Sequence, residues 1–485
     1  MAEDLMEAAA ARIEASRAAQ DPDRPLVHLA PPVGRLNDPN GLLLHEGRFH
    51  AFYQFSPLHP RKLVYWGHAS TSDLLHWSDH GPALAPDRWY DSHGVYSGSA
   101  VHTGEEIALF YTGNVRDEQG GRSAHQCMAT TSNLTDFRKH PKNPVVDPLP
   151  DGYTAHVRDP QVWRTSEGIY RMLLGAQRSD ETGCALLLSS PDLLTWRFDG
   201  ELGFPDADGR FDQFGYMWEC PNLVRVPDET TGELHDVFIF CPQGIAAPGE
   251  GFQNVFACGY LVGRLEGTQL RRTGDFHELD RGFEFYAPQV VARDEPGPAT
   301  LLAWVGNAGE DQQPSLEHEW VHLLSCARDL ALRDGRLVQR PHLPFEAGTE
   351  LAPQVVGGDP HPLAPLEGSR SFLLDLELDT SAATGWSLVI GSPSSQVRLD
   401  FHGCQLTVDR SATRYPHGDR RVVSLPSTPR PRLRLAHDRS VTELFLDDGA
   451  LSFTMRSYLD PEAGGVTLQA DGQLQLLGGR ANRLD

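Results

Sequence analysis

Three carboxylates lie in short, similar motifs within the first half of the chain. Asp38 stands in Asn-Asp-Pro-Asn-Gly, Asp159 in Arg-Asp-Pro-Gln-Val and Glu219 in Glu-Cys-Pro-Asn-Leu. Carboxylates that lie close together raise the pKa of at least one member, and separated pKa values suit acid–base catalysis. Two carboxylates on either side of a glycosidic bond are the usual machinery for its hydrolysis. A lone Asp before Pro is, however, more often a turn residue.

The carboxylate motifs belong to a repeat that runs through about two thirds of the chain. Taking Asp38, Ser97, Asp159, Glu219 and Tyr286 as equivalent gives steps of 59, 62, 60 and 67 residues. A second pattern of nearly the same period occurs at 72–77, 132–137 and 191–196. Two independent patterns with one period indicate a repeat protein.

The composition and the repeat length together predict the fold. The chain has 46 Gly and 36 Pro among short runs of β-branched and aromatic residues, which is typical of an all-β protein. A unit of this length can hold a four-stranded sheet, and five units close naturally into a ring. We therefore predict a five-bladed β-propeller over residues 26–345, followed by a C-terminal β-sandwich over residues 367–485. Residues 1–25 are predicted as a helical extension and the Pro/Gly-rich residues 346–366 as a linker.

A propeller would bring the three carboxylates together. The innermost strand of each blade lines the central channel, so equivalent positions of different blades reach the same mouth of that channel. Asp38, Asp159 and Glu219 are thus predicted to converge there. A calcium site is the alternative for such an oxygen-rich cluster. Because no EF-hand-like run is present, we predict no metal and no cofactor.

The charge and the cysteine pattern restrict the partners and the compartment. The formal net charge of −24 disfavours binding to nucleic acid or to anionic membranes. No apolar run approaches the roughly 18 residues of a membrane span. The seven cysteines are scattered and odd in number, and the acidic start lacks the apolar segment of a secretory signal. These features predict a cytoplasmic location, whereas the oligomeric state stays open.

The motifs resemble those of glycoside hydrolase family 32, the invertases and fructan hydrolases. The resemblance rests on Leu36-Asn-Asp-Pro-Asn-Gly41, Trp66-Gly-His-Ala69, Tyr96-Ser-Gly-Ser99, Arg158-Asp-Pro160, Glu219-Cys220, Phe285-Tyr-Ala-Pro-Gln289 and, near the C-terminus, Asp438 to Phe445. It extends from about His28 to the end of the chain. The propeller-plus-sandwich fold of that family agrees with the repeat count.

The resemblance implies a role for each carboxylate in a retaining fructosidase. Asp38 would be the nucleophile, Glu219 the general acid/base and Asp159 the transition-state stabiliser. We expect burial and Asp38 to raise the pKa of Glu219. Arg158 would either keep Asp159 ionised or form a structural ion pair. The residues implied to line the sugar pocket are Asn37, Gln54, Trp66, Tyr96, Ser97, Arg158, Tyr286 and Trp304.

The expected substrate is a terminal β-D-fructofuranoside, either sucrose or sucrose 6-phosphate. Fructan hydrolysis, fructosyl transfer, specificity for another sugar and a non-catalytic glycan-binding propeller remain alternatives. Arg35 replaces the usual family Trp, and the loop 58–65 is short, so the leaving-group site is unassigned. Arg35, Arg61 and Lys62 are either a phosphate site or solvated surface charge. The sandwich is expected to pack on the propeller rather than bind sugar.

Overall fold

A computed structural model describes residues 2–245, 251–291 and 298–485. Strands dominate it, and the single α-helix of the described part, α1 (Ala2–Glu14), lies in the predicted N-terminal extension. Leu5, Met6 and Ile13 of this helix pack against the apolar core of the propeller. No helix within these residues is long and apolar enough to span a membrane.

Five antiparallel sheets form the propeller, and the chain builds them in order. Blade 1 holds β1 (Gly34–His45), β2 (Arg48–Ser56), β3 (Tyr65–Thr71) and β4 (Ser78–Leu84), and blade 2 holds β5 (Val95–His102), β6 (Ile107–Arg116), β7 (Arg122–Thr131) and β8 (Arg138–Lys139). Blade 3 holds β9 (Tyr153–Arg164), β10 (Tyr170–Arg178), β11 (Gly183–Ser190) and β12 (Arg197–Glu201).

The last two blades complete the ring. Blade 4 holds β13 (Met217–Pro227), β14 (Leu234–Gln243), β15 (Gly259–Glu266), β16 (Gln269–Arg272) and β17 (His277–Glu278). Blade 5 begins with β18 (Tyr286–Val290) and β19 (Ala299–Val305); after them, β20 (Trp320–Val321) leaves to join blade 1, and β21 (Leu323–Leu324), β22 (Arg328–Arg333) and β23 (Arg336–Pro341) finish the sheet. The ring closes where β20 pairs in parallel with the start of β1. The predicted five-bladed propeller is confirmed.

The second repeated sequence pattern forms a turn between the third and fourth strands of blades 1 to 3. In blade 1, Asp73 Oδ1 accepts the backbone N–H groups of Leu75 and His76 at 3.0 and 2.8 Å. Asn133 and Asp192 do the same in the next two blades. The residue after each is a leucine with positive φ: Leu74 at 60°, Leu134 at 56° and Leu193 at 66°. Local side-chain hydrogen bonds of this kind favour turns over continued strand.

Apolar side chains pack the blades against one another and fix the inner strands. Phe52, Trp66 and Tyr111 belong to one buried cluster shared by blades 1 and 2. Trp163 and Trp218 belong to another, which blades 3 and 4 share. Because interiors are packed as densely as organic crystals, such clusters hold the backbone of each inner strand at a defined place on the channel.

The sandwich surrounds a second core. Its strands are β24 (Thr349–Leu351), β25 (Gln354–Val356), β26 (His361–Pro362), β27 (Ser371–Ser392), β28 (Ser395–His402), β29 (Gln405–Ala412), β30 (Arg420–Ser424), β31 (Arg432–Asp438), β32 (Val441–Leu446), β33 (Leu451–Arg456) and β34 (Val466–Arg483). The long strands β27 and β34 pair along most of their length, and β27 joins β31 with its first half and β28 with its second. Short 3₁₀ turns occur at Ala18–Gln20, Trp89–Asp91, Pro314–His318, Ala364–Leu366 and Asp447–Gly449.

The segment 346–366 differs from the prediction of a plain linker. Its three short strands, β24, β25 and β26, all pair with β34, the last strand of the chain. Leu351, Val356 and Leu363 bury their side chains in the sandwich core. The Pro and Gly residues interrupt these strands without preventing the backbone from filling the free edge of β34. This stretch therefore belongs structurally to the sandwich.

Candidate active site

Each inner strand of the propeller carries a register shift at its functional motif. The shifts fall between Leu36 and Pro39 in β1, Tyr96 and Gly98 in β5, Arg158 and Gln161 in β9, Glu219 and Asn222 in β13, and Tyr286 and Gln289 in β18. A bulge places two residues opposite one and re-aims side chains. Four of the five contain a proline, which lacks an N–H and is tolerated in sheets mainly at such positions.

The bulges show that Glu219 does not occupy the position in its blade that the sequence repeat predicts. Asp38 and Asp159 directly precede the proline of their bulge, whereas Glu219 and Tyr286 stand two residues before theirs. Glu219 is therefore equivalent to Arg158, one position earlier than predicted. It nevertheless faces the channel, because a bulge turns consecutive side chains toward the same side. Arg158 and Asp159 both line the cavity for this reason.

A cavity of about 340 Å³ opens at the meeting point of the inner strands. We call it the catalytic cavity. Its wall contains all three carboxylates, Asp38, Asp159 and Glu219. The predicted pocket residues that also line it are Asn37, Gln54, Tyr96, Arg158, Tyr286 and Trp304. The repeat therefore brings together residues that are up to 267 positions apart in the chain, from Asn37 to Trp304.

Asp38 accepts hydrogen bonds from three neutral N–H or O–H side chains and, at 3.9 Å, from the Cys220 thiol. Its Oδ2 accepts from Ser97 Oγ at 2.5 Å and from Gln54 Nε2 at 2.9 Å, and its Oδ1 accepts from Asn37 Nδ2 at 3.3 Å. Burial and the charge of Glu219 raise the pKa of Asp38, and the bonds from Ser97 and Asn37 only partly oppose them. The donors fix the carboxylate's orientation, and no cation pairs with it directly within the described residues.

Glu219 lies in a cationic environment that sequence reasoning did not foresee. Arg158 donates from Nη2 to Glu219 Oε1 at 2.5 Å and from Nε at 3.1 Å. Tyr286 Oη and Gln243 Nε2 each donate to the other oxygen, Oε2, at 2.6 Å. Burial alone would raise the pKa of Glu219, but Arg158 and Tyr286 outweigh it and the net shift is downward. The prediction of a raised pKa for Glu219 is thus wrong.

Asp159 carries the opposite shift. Its Oδ2 accepts the backbone N–H of Cys220 at 2.9 Å, and its own backbone at φ 62° is part of the bulge. Arg158 Nε is 4.0 Å from Asp159 Oδ2, farther than from Glu219. Burial raises the pKa of Asp159 and the charge of Glu219 adds to that, so the contribution of Arg158 does not bring it back down. Arg158 is therefore chiefly the partner of Glu219.

Two predicted pocket residues lie behind the cavity wall. Trp66 is fully buried, and its indole N–H donates to the backbone carbonyl of Tyr96 at 3.0 Å. Trp66 therefore supports the strand that carries Tyr96 and does not face the cavity, contrary to the prediction. Ser97 is 3% exposed and reaches the site through its hydrogen bond to Asp38.

The three basic residues proposed from the sequence as a phosphate site, Arg35, Arg61 and Lys62, lie in different environments in the structure. Arg35 donates to Asp311 at 2.9 Å and lies over the ring of Trp304, 5.2 Å from its centroid. Lys62 lines the catalytic cavity, whereas Arg61 does not. Arg35 also lines this cavity, so two of the three residues proposed from the sequence share one site and Arg61 lies outside it.

Comparisons with known proteins identify the family. The family model described as glycosyl hydrolases family 32 N-terminal domain matches residues 28–341, and the model of the family 32 C-terminal domain matches residues 353–480. The chain belongs to glycosyl hydrolase family 32. The predicted family and the predicted glycosidase class are confirmed.

Relatives within family 32 cover nearly the whole chain. A sucrose-6-phosphate hydrolase of Klebsiella pneumoniae is 40% identical over 446 residues, 89% of this chain and 88% of the relative. One from Bacillus subtilis is 35% identical over 481 residues, 94% of this chain and 93% of the relative. The solved sucrose-6-phosphate hydrolase of Lactobacillus gasseri is 29% identical, with a TM-score of 0.85 over 98% of this chain and 96% of the other.

Sequence reasoning missed several side chains of this family 32 site. Gln243 bonds to Glu219, and Arg116, Arg122 and Phe256 line the catalytic cavity. Gln243 and Phe256 stand outside every repeated motif, so no sequence signal marks them. Arg116 and Arg122 flank the turn Asp-Glu-Gln-Gly-Gly. Two like charges around a Gly-Gly turn are a signal that could have been noticed.

Proposed function

We propose that the protein is a retaining β-fructofuranosidase that hydrolyses sucrose, sucrose 6-phosphate or both. The supporting observation is the convergence of Asp38, Asp159 and Glu219 on one cavity, each in a different hydrogen-bonding environment. Such a difference lets buried carboxylates of one site take separate roles. The names of the relatives agree with this substrate class.

Asp38 attacks C2 of the fructosyl unit. Ser97, Gln54 and Asn37 hold its carboxylate through donors that carry no charge, so its negative charge stays available for bond formation. A covalent fructosyl–Asp38 ester forms as the bond from C2 to the leaving oxygen breaks. Water then attacks C2, and the ester opens to release fructose and to restore the carboxylate.

Glu219 transfers the proton in both steps. It donates to the leaving oxygen as the first bond breaks and takes a proton from the attacking water in the second. Arg158 and Tyr286 favour the ionised form of Glu219, whereas the pKa values of Asp38 and Asp159 are raised. A proton shared by the cluster therefore resides preferentially away from Glu219 before substrate binds.

Substrate binding moves a proton to Glu219, which must be protonated to act as the general acid. Sugar hydroxyls that donate to Asp159 stabilise its ionised form, and this lowers the pKa of Asp159. The shared proton then moves to Glu219, next to the leaving oxygen. The same bonds to Asp159 strengthen as positive charge develops on the fructosyl ring, so they contribute most in the transition state.

Fructose release from three substrates tests this function. Purified protein is incubated with sucrose, sucrose 6-phosphate and inulin, beside the variants Asp38→Ala and Glu219→Ala. We expect fructose from one or both sucrose substrates and its loss in both variants. NMR of the newly released anomer should show retention. Release of fructose from inulin alone would assign a fructan hydrolase, and no release from any substrate would contradict a fructosidase.

We also infer a cytoplasmic location. All seven cysteines are free thiols, and six of them are buried. Unpaired cysteines are typical of a reducing compartment. Fractionation of the producing cell, with the activity followed in the cytosolic and extracellular fractions, tests this location.

A further inference from the structure

Within the part of the chain that the structure describes, three cations of the catalytic-cavity wall have no carboxylate partner. Lys62 lies between β2 and β3 of blade 1, and Arg116 and Arg122 lie at the end of β6 and the start of β7 in blade 2. Across the described residues, none of their side chains forms an ion pair or a hydrogen bond. The other basic groups of the wall are engaged: Arg35 and His59 with Asp311, and Arg158 with Glu219.

Arg116 and Arg122 are direct cross-strand partners. The register of the β6–β7 hairpin places Arg116 opposite Arg122. Like charges directly opposite on neighbouring strands destabilise a sheet. Water screens part of this repulsion because Arg116 is exposed, and an anion between the two guanidinium groups would relieve the rest.

Blade 4 contains a second pair of opposed arginines, which can be compared with Arg116 and Arg122. Arg264 and Arg271 also face each other across a hairpin, between β15 and β16. Each of them has its own carboxylate, Glu233 for Arg264 and Glu266 for Arg271. In a chain of net charge −24, carboxylates to neutralise arginines are plentiful. The arginine pair on the catalytic cavity lacks the neutralising partners that the outer pair has.

Arg122 lies in the wall of the catalytic cavity beside Tyr96, close enough for its charge to act on both Asp159 and Glu219. Its guanidinium rests over the ring of Tyr96, 5.3 Å from the centroid, and its Nε is buried without a hydrogen-bond acceptor. Its charge acts on Glu219 and Asp159. Because Glu219 protonates the leaving oxygen, a cation beside it faces the sugar that departs rather than the fructosyl unit.

We propose that Lys62, Arg116 and Arg122 bind a phosphoryl group on the leaving sugar, so that phosphorylated sucrose is the preferred substrate. This inference rests on the proposed function and specifies its substrate. Two arginines offer planar forks that match phosphate oxygens, and a lysine contributes a compact charge from the neighbouring blade. No bond to phosphorus forms or breaks: the group serves only as a recognition element.

Phosphate binding would also raise the pKa of Glu219, the general acid. A dianion held by Arg122 offsets the positive charge that favours ionised Glu219, so the pKa of Glu219 rises when the phosphorylated substrate binds. Recognition of the phosphate would thus help to bring the shared proton to the leaving oxygen. Replacing Arg122, whose charge acts on Glu219, should affect kcat as well as KM, whereas replacing Lys62 should affect chiefly KM.

The test is the ratio of kcat/KM for sucrose 6-phosphate to kcat/KM for sucrose. Wild type is compared with Lys62→Gln, Arg116→Gln and Arg122→Gln, and the matched control is Arg61→Gln, an exposed neighbour outside the cavity wall. We expect a wild-type ratio well above one and a fall of about 10- to 100-fold in each cavity variant, as is usual for bonds to a charged group. The control should keep the wild-type ratio.

Product binding gives an independent measurement that does not need turnover. Glucose 6-phosphate should inhibit wild type more strongly than glucose does, and this difference should shrink in Arg116→Gln and at high ionic strength. A wild-type ratio near one, or ratios that stay within about twofold across the cavity variants, would overturn the phosphate site. Fructose release from sucrose in that case would leave the proposed function standing, whereas no release from either substrate would remove both.

Discussion

Two clusters of buried charged residues in this protein differ in whether each carboxylate has a cationic partner. The active-site cluster consists of Asp38, Asp159, Glu219 and Arg158 on the inner strands of the propeller. The interdomain cluster, between the propeller and the sandwich, consists of His28, Asp280, Glu284, Arg328, Arg410, Asp438, Glu443 and Arg456. Burying charge is costly unless partners compensate it, so the pairing in each cluster reveals its purpose.

The interdomain cluster gives every carboxylate a cation. Arg328 Nη1 donates to Asp280 at 3.1 Å and its Nη2 to Glu443 at 2.8 Å, and Arg410 binds Glu284 at 2.7 Å. Burial would raise the pKa of Glu443, but Arg328 outweighs it and lowers that pKa to about 2. The pKa of Glu284 is likewise lowered, because Arg410 overrides burial. These groups stay charged in the folded protein and join its two parts.

The active-site cluster leaves its charge unbalanced. Arg158 contacts Glu219 closely, and neither Asp38 nor Asp159 has a cation at comparable distance within the described residues. The pKa values of both aspartates are raised as a result. Similar burial therefore produces fixed ion pairs in one region and groups ready to exchange protons in the other. Incomplete pairing of buried carboxylates marks the region of chemistry.

The largest expected effect is the loss of activity in Asp38→Asn. The amide cannot form the fructosyl ester, so fructose release from sucrose should fall by at least about 1,000-fold. The change also removes a like charge from beside Glu219, and the thermal midpoint should therefore stay within a few degrees of wild type. Initial rates and a calorimetric melt measure the two properties. A large loss of stability would show that Asp38 is paired as fully as the interdomain carboxylates, which would break the comparison.

Glu284→Gln makes the same chemical change in the interdomain cluster. It leaves the buried guanidinium groups of Arg410 and Arg456 without a counter-charge. Breaking a buried ion pair in this way costs about 3–5 kcal/mol of unfolding free energy. Urea unfolding followed by fluorescence measures the loss, and the folded fraction should retain its fructosidase activity. An unchanged midpoint would show that this cluster does not join the two domains energetically.

The sequence predicted the framework of the active site better than its internal bonding. Repeat spacing and Asp-Pro or Glu-Cys-Pro motifs are local, and they were sufficient to predict five blades and converging carboxylates. The sequence did not predict the one-residue shift at Glu219, because equal spacing does not reveal how a bulge orients two consecutive side chains. The sequence did not predict the strands β24 to β26, because their partner, β34, lies more than 100 residues away in the chain.

Pairing between side chains of different blades was beyond sequence reasoning. The sequence suggests that Arg158 either keeps Asp159, its neighbour in the chain, ionised or forms a structural ion pair, and the fold places it against Glu219 of the next blade. Trp66 belongs to a pocket motif, yet packing between blades 1 and 2 buries its ring completely. Adjacency in sequence was a poor guide in both cases, because the propeller determines which residues of separate blades meet.

The interdomain cluster should also give stability a dependence on pH. His28 Nδ1 lies 2.9 Å from Asp438 and its Nε2 lies 3.5 Å from Glu443. Burial lowers the pKa of His28, but these two carboxylates outweigh it and raise that pKa to about 9. Its contribution to stability is therefore complete below the unfolded value of about 6.5 and is lost as the pH rises toward 9. Urea unfolding between pH 6 and 9 should show this loss in wild type and a flatter profile in His28→Gln. Parallel profiles would contradict a charged His28.

The smallest effect expected here comes from Ser97→Ala, which removes one donor to Asp38. Ser97 favours the ionised carboxylate, so its loss raises the pKa of Asp38, and the acid limb of kcat/KM should move to higher pH. At the optimum the rate should fall about 10-fold, as expected for one hydrogen bond to a charged group. Ser99→Ala is the matched control, because that hydroxyl accepts the backbone N–H of Val162 and does not touch the carboxylate. If both variants shifted the limb equally, general loosening of β5 would explain the result better than a bond that tunes the nucleophile.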